Sequence, residues 1–370
     1  MSGPPLRLEL RGRLGPLAPS WDALVDRQGL PTPFLKSWWL EHAAGGTPTI
    51  LCVLEGAELV GGAAFEVDHV GPAPVAVERV RVLGQGVLAP DHLDLLSEPS
   101  RAREVREIVL GWLHRPGSRL IDLDGLAAGG VLAQAYAAAE IERVGAPYAP
   151  LPATGAEYLA ARPGKLRSTI TRRGRAFERD GATLRRVPAE QVDAALDRLA
   201  ELHEHRWSDE SSFLDGWGAV RAAACDGARN GEVVVTELVA ADGEVVATEL
   251  DLLAGRRAAF YQAGRRTDRD WRGCGSVVRA EFIDRCCEDG LVEYDLLRGD
   301  ESYKADWATE RRELVRCRRG VGPRGRALEQ ALRAWRRSAP QVQRGRDAVA
   351  QLVSRAPWRP RRAARHELSG

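Results

Sequence analysis

Lysine is scarce in this sequence: among 53 basic residues only Lys36, Lys165 and Lys304 are not arginine. Long apolar runs are missing too. Nothing approaches the ~18 to 20 consecutive apolar residues of a membrane-spanning helix. The opening MSGPPLRLELRGRL alternates apolar and charged residues where a signal peptide would carry an apolar core. The expected location is therefore the cytoplasm. Six cysteines (Cys52, Cys225, Cys274, Cys286, Cys287 and Cys317) include no CxxC pair, which argues against a disulfide framework or a structural zinc site. His203-Glu204-His205 is no better as a metal motif, because residues two apart on a helix point away from each other. No metal is expected. Neither half carries a Walker or Rossmann glycine signature, so nucleotide-fold chemistry is set aside.

What the sequence does contain is length, 370 residues, enough for two cores, and an ordinary 44% of hydrophobic residues. The net charge of +1 hides an asymmetry. Residues 311–370 hold 17 Arg against 4 Asp or Glu, a surplus of 13, which leaves −12 on the rest (1 − 13). Two readings stay open. The tail meets a membrane surface or another anionic polymer, or it is a solvated arginine-rich extension. Where arginine has displaced lysine nearly everywhere, a retained lysine marks a place that a compact ammonium suits and a planar guanidinium does not.

The pattern of residues 231–318 reads β-β-β-α-β-α-β. GEVVVTELVA (231–240) and EVVATELDLLAG (244–255) are β-branched runs on either side of Ala-Asp-Gly, a hairpin signal. RRAAFYQAGR (256–265) continues as strand, and WRGCGS leads into a helical VVRAEFIDRCCEDG (277–290) that stops at Gly290. LVEYDLLRG (291–299) is a further strand, ESYKADW a short helix and ELVRCR (313–318) a last strand. The first half repeats this less cleanly. A hairpin turns at Gly56 (49–67), strands follow at 77–84 and 118–126, and helices at 101–114 and 130–145. GAPYAPLPATG (145–155) reads as a linker. The fold class expected is α+β, in two similar halves: domains at 1–150 and 151–320, then a basic tail at 321–370. Within the second domain lie a basic helical stretch from Lys165 and an amphipathic helix, 189–207.

A strand running into a glycine-rich turn at a helix start is a common phosphate cradle, because glycine lets backbone approach closely and first-turn amides favour negative charge. Here the pieces are Tyr261, Gln262 and Ala263 on the strand, then Arg272, Gly273, Cys274, Gly275 and Ser276. A plain turn is the competing reading. The corresponding 84–96 stretch of the first half lacks so compact an arrangement.

With LHEHRW before it and YDLLRGDESYKADW after it, this order resembles the GNAT acetyltransferase superfamily branch that includes the CelD/BcsL proteins of cellulose and exopolysaccharide biosynthesis. That branch resembles in turn the Fem-type peptidoglycan aminoacyltransferases. The opening PTPFLKSWWLEHAAGG fits as well, so the likeness spans roughly residues 30–318. It implies tandem GNAT folds, acetyl-CoA or another acyl-CoA as donor, and a sugar, lipid-linked or amino acceptor. It assigns Tyr261, Gln262, Ala263 and Gly264 to the pantetheine arm and the 272–276 turn to the pyrophosphate. Val277 departs from the pattern, which has a small residue there. The first half is expected to be structural or acceptor-binding.

Acyl transfer needs a base, a stabilised oxyanion and an acid for the leaving thiolate. Asp295 is the candidate base, or else simply pairs with Arg298 or a helix terminus. Tyr303 is the candidate acid, or else packs on Trp307. Lys304 is the candidate oxyanion or phosphate ligand. His203, Arg206 and Trp207 are expected on the acceptor side, with Lys165, Arg172 and Arg298 for an acceptor phosphate. Two other readings remain: a tRNA-dependent aminoacyltransferase, and a GNAT scaffold without catalysis.

Overall fold

The computed structural model describes residues 5–207 and 213–338. The chain through Glu329 forms one compact unit, and Gln330–Gly370 a second, whose described part is the end of a helix. The first half runs β1 (Leu6–Arg11), α1 (Ala18–Asp26), α2 (Ser37–Leu40), β2 (Thr47–Glu55), β3 (Glu58–Val70), β4 (Val77–Val82), β5 (Leu96–Ser97), α3 (Ala102–Leu113), β6 (Arg119–Ala127), α4 (Val131–Ala135) and β7 (Glu140–Pro150). The second continues with α5 (Gly155–Ala160), α6 (Gly164–Arg179), β8 (Thr183–Arg186), α7 (Val192–Trp207), α8 (Trp217–Arg229), β9 (Val233–Val239), β10 (Val245–Ala254) and β11 (Arg257–Arg265). It ends with α9 (Cys274–Glu288), β12 (Glu293–Asp295), β13 (Glu310–Val321) and α10 (Gly322–Ser338). Among the described residues no helix is long and apolar enough to cross a membrane. All six cysteines are free thiols.

Local chemistry explains most of these elements. The β9–β10 hairpin joins β-branched strands through Gly243, whose φ of +90° suits glycine. Helix α7 buries Val192, Ala195, Leu196 and Leu199 on one stripe. Thr154 caps α5 by accepting a hydrogen bond from the Glu157 amide at 3.2 Å.

One mixed sheet runs through both halves, in the order β1-β2-β3-β4-β6-β13-β7-β12-β11-β10-β9-β8. Its centre is an exchange. The last strand of the second half, β13, lies between β6 and β7 of the first, and β7 lies between β13 and β12 of the second. The parallel pairs, β4 with β6 and β11 with β12, stand symmetrically on either side. Asp122 on β6 pins β13 through Arg316 Nε (2.9 Å) and Arg318 Nη2 (2.8 Å).

This exchange overturns two expectations. Residues 130–145 are not one helix: α4 ends at Ala135 and a strand begins at Glu140. Residues 145–150 are not linker but the rest of that strand. The alanine-rich run stays helical to Ala139, and the strand takes over at Glu140, where Ile141, Val144, Gly145, Pro147 and Tyr148 replace alanine and β13 and β12 supply the pairing. The strand expected over 291–299 is confined to Glu293–Asp295, because the chain turns away at Leu297, which has φ +57°.

Candidate active site

Strands β11 and β12 pair only over Arg257–Ala259 and Glu293–Asp295, and past that last rung they diverge. β11 continues to Arg265 against β10 alone. Its other edge, from Phe260 onward, pairs with no strand among the described residues. At that edge the Ala263 amide is satisfied by its own neighbour, donating to Gln262 Oε1 at 2.9 Å. An extended chain bearing amide groups can replace such a local bond with ladder bonds.

The edge leads to the glycine turn. Gly273 caps α9 in the left-handed conformation, φ +90°, and a Cβ there would meet Arg173 Cγ at 3.2 Å and Thr169 Cγ2 at 3.3 Å of helix α6. The amides of Ser276 and Val277 close back on Gly273 O, and that of Cys274 on Trp271 O. Cys274 is buried, while Gly273, Gly275 and Ser276 are half-buried and Arg272 is exposed. The turn is neither sunk in the core nor plugged. A Cβ on Gly275 would meet only the flexible Arg265 side chain, at 3.2 Å. Arg173, Arg265, Arg269 and Arg272 make no ion pair among the described residues, although the adjacent Arg266 is tied to Glu244 and Asp268. Lys165, Arg167, Arg172, Arg175 and Arg179 of α6 are likewise exposed and without an ion pair among the described residues. Cations gathered without a carboxylate among the described residues leave a positive field at this end of the sheet.

On the α9 face beneath the edge, Arg279 is buried over the Phe260 ring (3.9 Å), with Tyr303 and Trp307 each at 5.5 Å. Its guanidinium pairs with Glu249 at 2.9 Å, and the Tyr294 hydroxyl donates to Glu249 at 3.0 Å and lies 3.3 Å from Asp251. Burial pushes both carboxyls up, Asp251 furthest because the neighbouring Glu249 charge adds to it. Sequence reading passed over this group; two acidic residues alternating within an otherwise apolar strand, Glu249 and Asp251, were the available signal.

The opposite face is closed by α7 and the first half. A Cβ on Gly264 would meet Leu202 Cβ at 2.7 Å and Leu199 O at 2.8 Å, so the glycine permits this close packing, and buried His203 belongs to the same turn of α7. The side chains of Arg206 and Trp207 lie outside the described residues. Tyr261 donates to Leu88 O at 3.3 Å. Asp295 is buried, 2.8 Å from Arg257 Nη2 and from the Leu297 amide, and 2.7 Å from His92 Nε2. Burial raises its carboxyl, but His92, then Arg257 and the Leu297 amide, more than offset this and hold it at about 2. Its partners are thus not Arg298, which instead binds Asp91 through Nε (2.5 Å) and its amide (2.7 Å), and reaches Asp124 at 3.3 Å.

Lys304 is buried and spends its ammonium on Leu297 O (3.3 Å), Arg298 O (2.6 Å) and Glu301 (3.0 Å). Tyr303, beside it, is 39% exposed, enough to meet a ligand. The structure therefore gathers Tyr261, Gln262, Ala263, Arg272–Ser276, Asp295, Tyr303 and Lys304 around one divergence, while Lys165 and Arg172 stand out along α6.

The first half has the same divergence, but it is filled. Beyond the rung of Val80 with Ile121, Leu93 bridges Leu126 in parallel, donating to Gly125 O (2.9 Å) and accepting from Ala127 (3.1 Å).

Comparison with known proteins bears on the fold. No match to the sequence was found among curated proteins. In fold the chain is similar to FemX, at 12% identity and a TM-score of 0.59, over 85% of this chain and 98% of that one. It is similar to L-PGS from Bacillus licheniformis, at 11% identity and 0.55, over 91% and 96%. It is also similar to the C-terminal domain of a putative lysylphosphatidylglycerol synthetase from Agrobacterium fabrum, at 13% and 0.52, over 85% and 94%. The family model "Acetyltransferase (GNAT) domain" matches residues 164–305. The matched stretch holds the edge of β11 and the glycine turn.

Proposed function

We propose that the protein transfers an acyl group, acetyl foremost, from acyl-CoA to an amine or hydroxyl on a sugar or lipid-linked intermediate of cell-envelope or exopolysaccharide assembly. The observation that carries the donor half is the edge of β11 beyond Ala259, which pairs with no strand among the described residues and runs toward the left-handed Gly273 and arginines without an ion pair among those residues. The pantetheine amides bond the edge at Tyr261, Gln262 and Ala263, and the diphosphate rests on residues 272–276 with Arg173, Arg265 and Arg272 around it. Lys304 fixes the carbonyls of Leu297 and Arg298 and so positions the far wall, and the exposed Tyr303 phenol protonates the departing thiolate. His203 and Arg298 border the acceptor side. The acceptor class rests on the likeness to the CelD/BcsL branch. The first half, whose divergence is filled by Leu93, serves structure and the acceptor, and the basic tail serves contact with an anionic surface.

A second reading is favoured by one observation: the five cations along α6 without an ion pair, Lys165, Arg167, Arg172, Arg175 and Arg179, exceed what one diphosphate needs. Aminoacyl-tRNA would use them, and the fold likeness to FemX is consistent with that. Calorimetry decides between the two. Acetyl-CoA is expected to bind once per chain, with the Arg173→Ala/Arg265→Ala variant weakened at least tenfold, as loss of charge-assisted bonds of about 1.5–3 kcal/mol requires. No binding of acetyl-CoA, with RNA of transfer size copurifying on a denaturing gel, would replace the first reading with the second.

A further inference from the structure

His92 comes from the first half, yet it sits at the divergence of β11 and β12 in the second. It follows from the segment that fills the other divergence: Leu93 bonds β6, and its neighbour is thereby pushed toward β12. Asp91 on its other side is clamped by Arg298, and Thr32 Oγ1 donates to Asp91 O at 2.9 Å, so the loop is held at both ends. His92 itself adopts φ +59°, a left-handed conformation that costs a non-glycine residue energy and that persists where surroundings enforce it.

The imidazole is 4% exposed. Nε2 lies 2.7 Å from Asp295 Oδ2 and pairs with it, while Nδ1 has no hydrogen-bond partner among the described residues. A buried nitrogen without a partner is costly unless something else supplies one. Asp295, by contrast, is fully engaged and held far below neutrality, which makes it a poor base and a good orienting anion. It also stands opposite Ala259 on the last rung, so His92 is placed at the apex, where the thioester end of a chain lying along the open edge would arrive.

We propose that His92, oriented by Asp295, is the general base that removes the proton from the acceptor. This rests on the acyl-CoA reading above. The acceptor N–H or O–H attacks the thioester carbonyl carbon, forming the new C–N or C–O bond. The C–S bond breaks and CoA leaves as thiolate. The acceptor's proton moves to Nδ1 of His92, with Nε2–H turned to Asp295, and leaves to solvent, while Tyr303 gives its proton to the thiolate and regains one from solvent, giving acylated acceptor and CoA–SH. The charged groups facing the ring are Asp295 of β12 and Asp91 of its own loop, which are paired in turn with Arg257 of β11 and Arg298 beyond β12. The first half thus contributes a catalytic residue to the second.

The test uses the full chain with acetyl-CoA as donor and two probe nucleophiles, ethanolamine, which is mostly protonated at pH 7, and hydroxylamine, which is mostly not. His92→Gln is expected to lower kcat with ethanolamine by about 10²- to 10⁴-fold, the usual worth of a general base. It should change hydroxylamine turnover less than tenfold and leave the acetyl-CoA Kd within about twofold. Asp295→Asn should shift the pH–rate profile of ethanolamine transfer. Equal losses on both nucleophiles, or full turnover by His92→Gln, would overturn the proposal while leaving the donor reading standing; wild-type protein that binds no acetyl-CoA would end that reading, and this proposal with it. Nitrogen-15 spectra of the wild-type imidazole need no turnover. They should show Nε2 protonated and Nδ1 bare at pH 8, and the reverse tautomer refutes the assignment.

Discussion

Replacing Asp122 with asparagine removes the anion that holds the exchanged strand β13 in the first half. Its carboxylate is 2% exposed, bonded to Arg316 and Arg318. Burial alone would raise its pKa; Arg316 first, and then Arg318, override that and bring it from the ordinary 3.8 to about 2. The depression corresponds to roughly 2.5 kcal/mol of folding stability. Because the folded pKa lies below the unfolded one, this stability is fully present above about pH 4 and is lost as pH falls through 2. The substituted amide could still accept hydrogen bonds, but the buried Arg318 would lack a counter-charge, which makes roughly 2.5 kcal/mol a lower bound. Urea unfolding at pH 7 should therefore show Asp122→Asn less stable by roughly 2.5 to 4 kcal/mol, at unchanged m. At about pH 2.5 the gap should narrow to about 1 kcal/mol, since the wild type has lost most of the same interaction. Asp295 titrates in the same window but is common to both proteins, so the difference isolates Asp122. A gap that is absent at neutral pH, or that persists undiminished in acid, would refute the argument. Because β7 and β13 are each paired into the other half, both proteins should unfold in one transition.

Two further variants probe the site. Gly273→Val forces a β-branched residue to φ +90° and presses it on Arg173 and Thr169, so acetyl-CoA affinity should fall at least tenfold while far-ultraviolet circular dichroism is retained; calorimetry showing normal affinity would remove the turn from the donor site. Lys304→Arg cannot converge one compact ammonium on Leu297 O, Arg298 O and Glu301, so kcat should drop tenfold or more with the acetyl-CoA Kd little changed, and wild-type turnover would detach Lys304 from the reaction.

The strands of the second half were legible because alternation, β-branching and the Asp-Gly turn all agree there. So was the glycine turn, since a strand, two glycines and a helical stripe sit in sequence. The retained lysines also carried information. Lys36 is buried between Asp26 (2.7 Å) and Glu232 (2.5 Å), and Lys304 converges on three oxygens, whereas Lys165 is exposed. Compact convergence is what ammonium does and guanidinium does not. What stayed hidden depends on contacts between distant segments. β7 follows directly on an alanine-rich helical run and carries Gly145, Pro147 and Pro150, so that it read as helix end and linker, and its strand partners both come from the other half. Asp295 was read as the candidate base, with Arg298 as the alternative partner, but its partners come from β11 and from the loop at His92. Tertiary pairing of this kind leaves no local pattern.

The duplicated plan explains why only one half keeps an open edge. Each half diverges after its parallel pair, and a divergence exposes backbone groups that need partners. In the first half residues 84–96 run long enough for Leu93 to supply them from within the chain, and that divergence becomes core. In the second half the connection from β11 to α9 is spent on the arginine-rich turn, so no segment among the described residues returns to cover Phe260–Arg265. The same insertion that closes one divergence therefore delivers Asp91 and His92 to the mouth of the other. Shortening the 84–96 loop would then damage the second half's chemistry before it damaged the first half's fold, a coupling that two independently working domains would not show.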